Sequence, residues 1–418
     1  MNLSSIDIPN QVQRLVQLGG KFAVPLYSCD KIIFEFIKNI EHNFKKLQSS
    51  VHNTIRNKSI TIINSVFSKF KKKNLNKIKI YKLIYITKQF LKNNSNIIFT
   101  RADKGNTTVA MDKDDYITKV NSMLQDEKTY KICEHVEKRI RKKSKFLNMA
   151  DFLDTTIIKM GNSLIFDWYQ KPTYSGRFLN FMSQHPISQK KGVLYGLVDP
   201  AFHLSHPMFH EKNLKFIVKI LLDNDYPKDF IFYNMNDRIK TLINRQNKVT
   251  ELQPMRREKI KWFSIPYVEG VSEKFKNIIN GMCQKVCFFS MNKLNYFIKA
   301  QKDPMSRGAK RNVVYKINCN QCEASYIGQT GRKLDTRIAE HKKHINSVSS
   351  SHSVITDHRM EFSHEFDWNN CEILDVERYY NKRLVSEMIY INRQKKGLNL
   401  QTDTDALGHT YTDILNKI

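Results

Sequence analysis

The sequence predicts an α+β multidomain protein, with mainly helical N-terminal and middle regions and a small mixed α/β domain at the C-terminus. Three observations predict this class. The 418 residues exceed what one hydrophobic core usually serves. Apolar residues recur at helical spacing over residues 30–93 and again, between prolines, over 186–240. From Asn312 onward, short alternating strands and helices follow one another.

Composition and charge indicate the kind of partner. Lys and Arg number 69 against 40 for Asp and Glu, a net charge of +29. Because this positive charge repels itself, a polyanion is the natural partner, with nucleic acid first and an anionic membrane surface second. No apolar run reaches the roughly 20 residues that cross a bilayer, and the N-terminus does not resemble a signal peptide. We therefore expect an intracellular protein whose cysteines are thiols or metal ligands.

Local patterns divide the chain into seven regions. Residues 97–118 have strand character around a Lys-Gly-Asn turn, and the chain then returns to helix through 119–148. Residues 151–185 are strand-like, with turns at two glycines. Residues 268–282 are predicted to form a further helix, and the basic, glycine-containing stretch 301–311 is predicted to be a linker. The regions are a helical region (1–95), a mixed fragment (96–150), a strand fragment (151–185), a helical unit (186–240), a connector (241–311), an α/β domain (312–402) and a tail (403–418).

The α/β domain is predicted to begin with a hairpin. Two alternating strands, VVYKIN and SYIGQT, flank the sequence Cys319-Asn-Gln-Cys322. Paired positions in an antiparallel hairpin have a constant index sum. If the two cysteines form the tip, Tyr315 lies directly opposite Tyr326.

Polar side chains that suit phosphodiester chemistry follow this hairpin. Arg337 and His341 are four residues apart and share one helix face. Glu387 lies on a later predicted helix, and Asn399 follows the helix stop at Gly397. Hydrolysis of a phosphodiester needs positive charge, a base and a positioned water. Each residue also has a structural alternative, since strand tyrosines often pack in cores and a helix arginine is often solvated.

In order and spacing, these residues resemble the GIY-YIG nuclease superfamily over about 90 residues. The YIG triplet is intact as Tyr326-Ile327-Gly328, whereas Val313-Val314-Tyr315 keeps only the tyrosine of GIY. The resemblance implies a metal-dependent endonuclease. It assigns water positioning or deprotonation to Tyr315 and Tyr326, charge stabilisation to Arg337, proton transfer to His341, binding of catalytic Mg2+ to Glu387 and support of the site to Asn399.

A structural zinc site is predicted within this domain. Cys319-x2-Cys322 resembles half of a tetrahedral site. His358-x5-His364 fits the other half, and His352 is a competing ligand. Four protein ligands leave no open position, so a Zn2+ ion here would be structural and would hold the hairpin. The alternative is a simple turn with two free thiols.

The upstream regions resemble the reverse transcriptase of Penelope-like retroelements, whose endonuclease also carries a zinc knuckle inside a GIY-YIG motif. The stretch beginning IIFTRADKGNTTVAMDKDDYIT resembles the fingers, which assigns 96–150 to a fingers-like fragment. FLDTTII and DWYQKPTYSGRFLNFMSQHP resemble the end of the palm, within 151–185. The stretch beginning HPISQKKGVLYG resembles a helix-turn-helix-like thumb, within 186–240.

The polymerase centre is missing from this resemblance. Polymerases hold two metals with clustered palm aspartates. The family's Tyr-x-Asp-Asp motif is absent, Asp114-Asp115 precedes a tyrosine in the fingers-like segment, and Asp223 falls in the thumb-like segment. We infer an internal deletion or misjoined exon around 146–151 and predict that polymerase activity is absent.

These observations lead to one prediction and its competitors. The main prediction is that the chain is a DNA-nicking, metal-dependent endonuclease of a truncated Penelope-like element. Its expected location is the nucleus, its expected partners are DNA and element RNA, and no membrane association is expected. The main alternative is a catalytically inert nucleic-acid-binding remnant. A structural partner of a repair nuclease is a third reading, which the retroelement-like middle disfavours. Four lysines of the thumb-like segment are predicted to contact DNA phosphates: Lys190, Lys191, Lys212 and Lys215. The alternative for each is a lysine that is merely solvated.

Overall fold

The computed structural model describes residues 2–26, 28–70, 75–101, 108–124, 149–152, 154–172, 174–246, 262–281, 285–298, 305–345 and 353–418. The predicted Lys-Gly-Asn turn, most of the predicted helix 119–148, part of the inferred deletion site at 146–151 and the competing ligand His352 lie outside these ranges.

The described residues form a mixed α+β protein, as predicted. The helices of the described ranges are α1 (Asn10–Gln17), α2 (Cys29–Phe44), α3 (His52–Phe70), α4 (Leu75–Asn93), α5 (Lys113–Leu124), α6 (Ile187–His203), α7 (His210–Asp223), α8 (Lys228–Gln246), α9 (Phe275–Ile279), α10 (Leu294–Phe297), α11 (Leu334–Ile345), α12 (Val354–Phe362), α13 (Tyr380–Asn392) and α14 (Thr412–Leu415). Across the same ranges, no helix combines the length and apolar character that a membrane crossing requires.

The strands of the described ranges form four small sheets. They are β1 (Ile97–Arg101), β2 (Thr108–Asp112), β3 (Met149–Phe152), β4 (Thr155–Met160), β5 (Ser163–Trp168), β6 (Trp262–Pro266), β7 (Lys285–Phe289), β8 (Val313–Asn318), β9 (Ser325–Thr330) and β10 (Glu372–Val376).

The chain divides into two compact units. Unit 1 comprises Met1–Pro25, Asn74–Arg256 and Asn292–Lys302, and unit 2 comprises Leu26–Lys73, Arg257–Met291 and Asp303–Ile418. These units differ from the predicted regions, because both the helical region 1–95 and the connector 241–311 are split between them. Local periodicity identifies helices but does not say which core buries their apolar faces.

The described part of unit 1 forms two antiparallel sheets and a helical cluster. Strand β1 pairs with β2, and β3, β4 and β5 form a meander. Gly161 turns the chain between β4 and β5 at a φ of +60°, a conformation that favours glycine. Helices α6, α7 and α8 share one core, which includes Leu197, Ile217 and Ile231.

A tight turn joins α7 to α8. Residues 224–227 connect the two helices, with Asp225 at a φ of +62° and Tyr226 only 2% exposed. The Asn224 side chain stabilises this turn, since its Nδ2 donates to the carbonyl of Gly176 at 2.8 Å and its Oδ1 accepts from the backbone N–H of Phe178 at 3.0 Å. Such short turns are typical of helix-turn-helix motifs.

Unit 2 combines the C-terminal sheet with N-terminal helices. Its antiparallel sheet has the order β10–β8–β9, and β6 pairs with β7 in parallel. Val385, Met388 and Ile389 of α13 are buried in the same core as α2, α3 and α9. Phe36 of α2 and Phe275 of α9 stack there, with ring centroids 5.4 Å apart. The helix that carries Glu387 is therefore held by residues far upstream in the sequence.

A buried ion pair strengthens this long-range packing. Lys38 of α2 is 2% exposed, and its Nζ lies 2.8 Å from Asp375 Oδ2 on β10. Ser386 Oγ on α13 donates to the same Asp375 oxygen at 2.6 Å. Because removing one partner of a buried pair leaves an uncompensated charge, this network ties α2, β10 and α13 in one arrangement.

The predicted tail 403–418 is also part of the core of unit 2. Tyr411 is fully buried, and its hydroxyl donates to Glu41 Oε1 at 2.8 Å. Arg56 Nη2 lies 2.7 Å from the second Glu41 oxygen. Ile414 and Leu415 are buried in the same core, so these residues pack as a structural element.

Two local predictions are wrong. Strand β8 pairs with β9 so that Tyr315 lies opposite Gly328 and Tyr326 lies opposite Ile317. The cysteines do not form a symmetric tip, because the Cys319 N–H donates to the carbonyl of Ala324 and leaves 320–323 as the loop. The helix predicted over 268–282 is reduced to α9 and a preceding 3-10 turn.

Candidate active site and metal site

Tyr315 and Tyr326 lie on the same face of the sheet despite the shifted register. The shift is two residues, and side chains alternate faces with a period of two. Tyr315 is fully buried and Tyr326 is half-buried. Both rings pack edge-on against His341, with centroid distances of 6.0 and 5.3 Å. The diagonal arrangement thus brings both hydroxyl-bearing rings to one histidine.

Helix α11 supplies two polar groups to this face. Arg337 and His341 are one helical turn apart, and both reach the Tyr315 hydroxyl. His341 Nε2 lies 2.7 Å from that oxygen, and Arg337 Nε donates to it at 3.3 Å. The structure therefore brings these predicted residues together around one phenol.

The protonation states of the pair follow from burial. Burial lowers the pKa of His341 to about 4, and the nearby Arg337 charge lowers it further in the same direction. Burial likewise raises the pKa of Tyr315 well above its ordinary value. At neutral pH the imidazole is neutral and the phenol protonated, and the Tyr315 O–H donates to His341 Nε2 in the tautomer that carries the imidazole proton on Nδ1.

Glu340 orients Arg337 and was not singled out from the sequence. Its Oε2 accepts from Arg337 Nη1 at 3.1 Å, and its other oxygen pairs with Arg332 Nη1 at 2.5 Å. The spacing of three residues to Arg337 on a helix is a signal that could have identified it. The guanidinium of Arg337 is consequently fixed between a carboxylate and the Tyr315 phenol.

Glu387 faces the site from α13. Burial raises the pKa of its carboxyl to about 7, and the negative charge of Asp403 raises it further, while the backbone N–H of Gln329 and the charge of Arg337 oppose the shift. A half-buried carboxylate near a second, exposed carboxylate is the kind of donor set that a divalent cation would neutralise. Asp403 is a second residue that the sequence reasoning missed.

Asn399 and Gly328 shape the YIG segment. The Asn399 side chain pairs with Ile327 on both sides, accepting from its N–H and donating to its carbonyl, each at 2.9 Å. A Cβ on Gly328 would lie 2.7 Å from the Tyr315 hydroxyl oxygen and 2.9 Å from Tyr326 Cε1. Position 328 requires glycine, because the two tyrosine rings occupy the space that a side chain at this position would need.

Four predicted metal ligands converge beside the hairpin loop. The ligand atoms of Cys319, Cys322, His358 and His364 all lie within 4.8 Å of one another. Cys319 Sγ is 3.6 Å from His364 Nδ1, Cys322 Sγ is 3.5 Å from His358 Nε2, and the two histidine nitrogens are 3.3 Å apart. Zinc bonds of about 2.0–2.3 Å arranged as a tetrahedron separate the ligand atoms by about 3.3–3.8 Å. This Cys2His2 cluster could bind zinc.

Local backbone pairing brings the two halves of the cluster together. Cys319 forms a bridge with Phe366, and the Asn320 N–H donates to the carbonyl of Glu365 at 2.8 Å. Ser363 ends α12 in the left-handed conformation, with a φ of 56°, which redirects the chain toward His364. His358 lies one turn earlier on α12 itself.

The four predicted phosphate-binding lysines differ in their surroundings. Lys190 is only 9% exposed and its Nζ lies 4.6 Å from the centroid of the Phe181 ring, so its burial removes it from the candidate DNA contacts. Lys191 is half-buried. Lys212 pairs with Asp167 and Lys215 with Glu211, but both lysine side chains are mostly exposed on α7. Lys219 is exposed on the same helix face and was not predicted.

Comparison with known proteins gives one match. Residues 177–236 match the model of the animal helix-turn-helix domain. The match covers α6, α7 and the first turns of α8, so it confirms the predicted helix-turn-helix and supports DNA binding. No curated protein and no solved structure matches the chain.

Proposed function

We propose that the chain is a metal-dependent DNA endonuclease of the GIY-YIG type, derived from a truncated Penelope-like element and without polymerase activity. The observation that carries the proposal is the convergence of Tyr315, Tyr326, Arg337 and His341, with Glu387 facing the same site from α13. A half-buried arginine, a neutral histidine and phenols suit phosphodiester hydrolysis. DNA as the substrate implies a nuclear location, with element RNA as a second nucleic-acid partner.

The hydrogen bonds around Tyr315 support a proton relay. The attacking water gives its proton to the Tyr315 oxygen as the phenol proton moves to neutral His341 Nε2. The water oxygen forms a bond to phosphorus, the P–O bond to the leaving strand breaks, and the leaving oxygen takes up a proton from solvent. The imidazolium of His341 then returns its proton to solvent, which restores the neutral imidazole. Arg337 donates to the Tyr315 oxygen and can stabilise negative charge on the phosphoryl oxygens. The relay needs a neutral imidazole at neutral pH, which burial provides.

Glu387 is the residue that would hold the Mg2+ ion, beside Asp403. Its raised pKa reflects burial without full cationic compensation, and bound Mg2+ would favour the ionised carboxylate. When bound, Mg2+ would neutralise charge on the phosphate and the leaving oxygen. The Cys2His2 cluster would hold structural Zn2+ and fix the β8–β9 hairpin.

Arg337 and Arg332 offer a matched test of this function. Both pair with Glu340, but of these two only Arg337 has a hydrogen bond to Tyr315. In a supercoiled-plasmid nicking assay with the full chain and Mg2+, Arg337→Gln is expected to lower the rate about a hundredfold, the typical effect of losing one charge-stabilising donor. Arg332→Gln should stay within about threefold of the wild type, because its side chain is 62% exposed.

The comparison of the two variants separates catalysis from folding. Equal loss of nicking in both would assign the effect to disruption of Glu340 and contradict the proposed role of Arg337. A folded wild-type chain that leaves plasmid intact with Mg2+ would favour the alternative, an inert nucleic-acid-binding remnant. The helix-turn-helix match and the departure of Val313-Val314 from the GIY pattern are the observations that favour that alternative.

For the helix-turn-helix unit, we propose that the exposed face of α7 contacts DNA phosphates. Lys215 and Lys219 lie one turn apart on that face. Replacing both with glutamine should reduce the steepness of the log affinity against log salt plot by about 1.8 for duplex DNA, since each phosphate contact contributes about 0.9. The measurement is duplex binding by fluorescence anisotropy at several salt concentrations.

Two lysines on α4 provide the control for this measurement. Lys82 and Lys92 are exposed and belong to the same unit, and replacing both with glutamine removes the same charge. An equal change of slope in the two double variants would show that only net charge matters and would overturn the assignment to α7.

A further inference from the structure

An open depression lies on unit 2 between the parallel strands and α9. Strand β6 begins at Trp262, which lies opposite Lys285 at the start of β7. The depression has a volume of about 310 Å³, and its lining includes Trp262, Lys276, Asn277, Ile279, Asn280 and Lys285. None of these residues belongs to the active site or the Cys2His2 cluster described above.

Trp262 is unusually exposed for its size. Its side chain is 44% exposed, whereas the adjacent Phe263 is fully buried in the core. The backbone around it is held firmly, because Lys46 Nζ donates to the Trp262 carbonyl at 2.9 Å and the strand pairs with β7. A fixed strand that presents a large aromatic side chain to solvent forms a ready stacking surface.

The surrounding groups are cationic and amide-bearing. The Nζ of Lys285 lies 5.7 Å from the centroid of the Trp262 ring system, and Lys276 Nζ lies 5.7 Å from the centroid of Phe288. The side chains of Asn277 and Asn280 can both donate and accept hydrogen bonds. Among the residues that the structure describes, no carboxylate lines the depression, so the charge of this described lining complements an anion.

From these features we infer that the depression binds an unpaired nucleotide of single-stranded DNA. The base stacks on Trp262, its polar edge meets Asn277 or Asn280, and the flanking phosphates pair with Lys276 and Lys285. Bases in an intact duplex are already stacked and paired, so the site selects single strands. The inference rests on the proposed nucleic-acid substrate, but it concerns binding and requires no cleavage.

The test measures binding by the full-length Glu387→Gln protein without added Mg2+, so that cleavage does not interfere. The probes are fluorescent oligo(dT) of about 20 nucleotides and a duplex of the same length. In this background, Trp262→Leu is expected to weaken oligo(dT) binding about tenfold and leave duplex binding and the salt slope unchanged, because stacking releases no counterions. Replacing Lys276 and Lys285 with glutamine should instead lower the single-strand slope by about 1.4.

Two control substitutions make the result specific. Tyr296→Leu removes a 65% exposed aromatic side chain elsewhere, and Lys417→Gln removes an exposed lysine of unit 2. Both should bind oligo(dT) as the parent does. Wild-type oligo(dT) affinity in Trp262→Leu, or equal losses for single strand and duplex, would overturn the inference. If the wild-type chain does not nick plasmid but Trp262→Leu still weakens oligo(dT) binding selectively, the proposed nuclease function is rejected and the proposed binding site is retained.

Discussion

The Gly328→Ala protein is expected to nick supercoiled plasmid about a thousandfold or more slowly than the wild type in the presence of Mg2+. A Cβ at this position would lie 2.7 Å from the Tyr315 hydroxyl oxygen and 2.9 Å from a carbon of the Tyr326 ring. Both phenols must move, and a displacement of about 1 Å costs about a hundredfold in rate for a single catalytic group. Here one added methyl group displaces both tyrosine side chains.

The loss should come from the site and not from unfolding. Overpacking of a tight contact typically costs about 1–3 kcal/mol, which a folded unit can tolerate. Nicking rates would be measured beside thermal unfolding, together with the absorbance of Tyr and Trp as a check on ring environment. A suitable control is Gly192→Ala, because nothing lies within 4 Å of the added methyl group and the position is within α6.

Two results would contradict this account of Gly328. One is near-normal nicking by a folded Gly328→Ala protein, which would mean that the tyrosines do not act in the reaction. The other is equal loss in Gly192→Ala, which would point to a general sensitivity to substitution. Gly192→Ala is instead expected to be neutral or slightly stabilising, because alanine is favoured over glycine in helices.

The wild-type chain is expected to contain one zinc ion, and Cys319→Ala is expected to lose it. Structural zinc contributes about 10–16 kcal/mol of binding free energy in small zinc-dependent folds. Removing one of the four ligands should therefore reduce zinc affinity by several orders of magnitude and lower the melting temperature of unit 2 substantially. Metal content by mass spectrometry and thermal unfolding with and without a chelator would measure both effects.

Cys287 is the matched control for thiol removal. It is a half-buried thiol in unit 2, and the metal cluster does not include it. Cys287→Ser should keep the zinc content of the wild type. A metal-free wild-type chain, or full zinc content in Cys319→Ala, would show that the four side chains meet for packing alone. The nicking activity of Cys319→Ala should fall in parallel, since Cys319 directly follows the strand that carries Tyr315.

The sequence alone predicted which side chains of the candidate site share a helix or strand face. The four-residue spacing of Arg337 and His341 predicts a shared helix face, and both do contact Tyr315. The alternating pattern around Tyr315 and Tyr326 predicts two strands, and a period of two kept both rings on one face even though the predicted register was wrong. These predictions succeeded because they depend on helix and strand geometry alone.

The exact hairpin register required the tertiary structure. A symmetric cysteine tip is the simplest local solution, but the segment after α12 forms hydrogen bonds with the loop and sets its length. In the same way, the sequence predicted that Lys190 contacts phosphate, whereas in the fold its Nζ lies over the Phe181 ring. Glu340 and Asp403 could be assigned to the site only from the tertiary structure, which places Glu340 beside Arg337 and Asp403 near Glu387.

The sequence by itself determined the α+β class, the helix-turn-helix unit and the Cys2His2 set that converges beside the hairpin, because each depends on residue type and short-range spacing. Only the tertiary structure decided that α2 supports the helix carrying Glu387, that residues 403–418 belong to the core, and that Trp262 is presented to solvent. Those features depend on which apolar faces bury one another across hundreds of residues, and many pairings satisfy the same local pattern equally well.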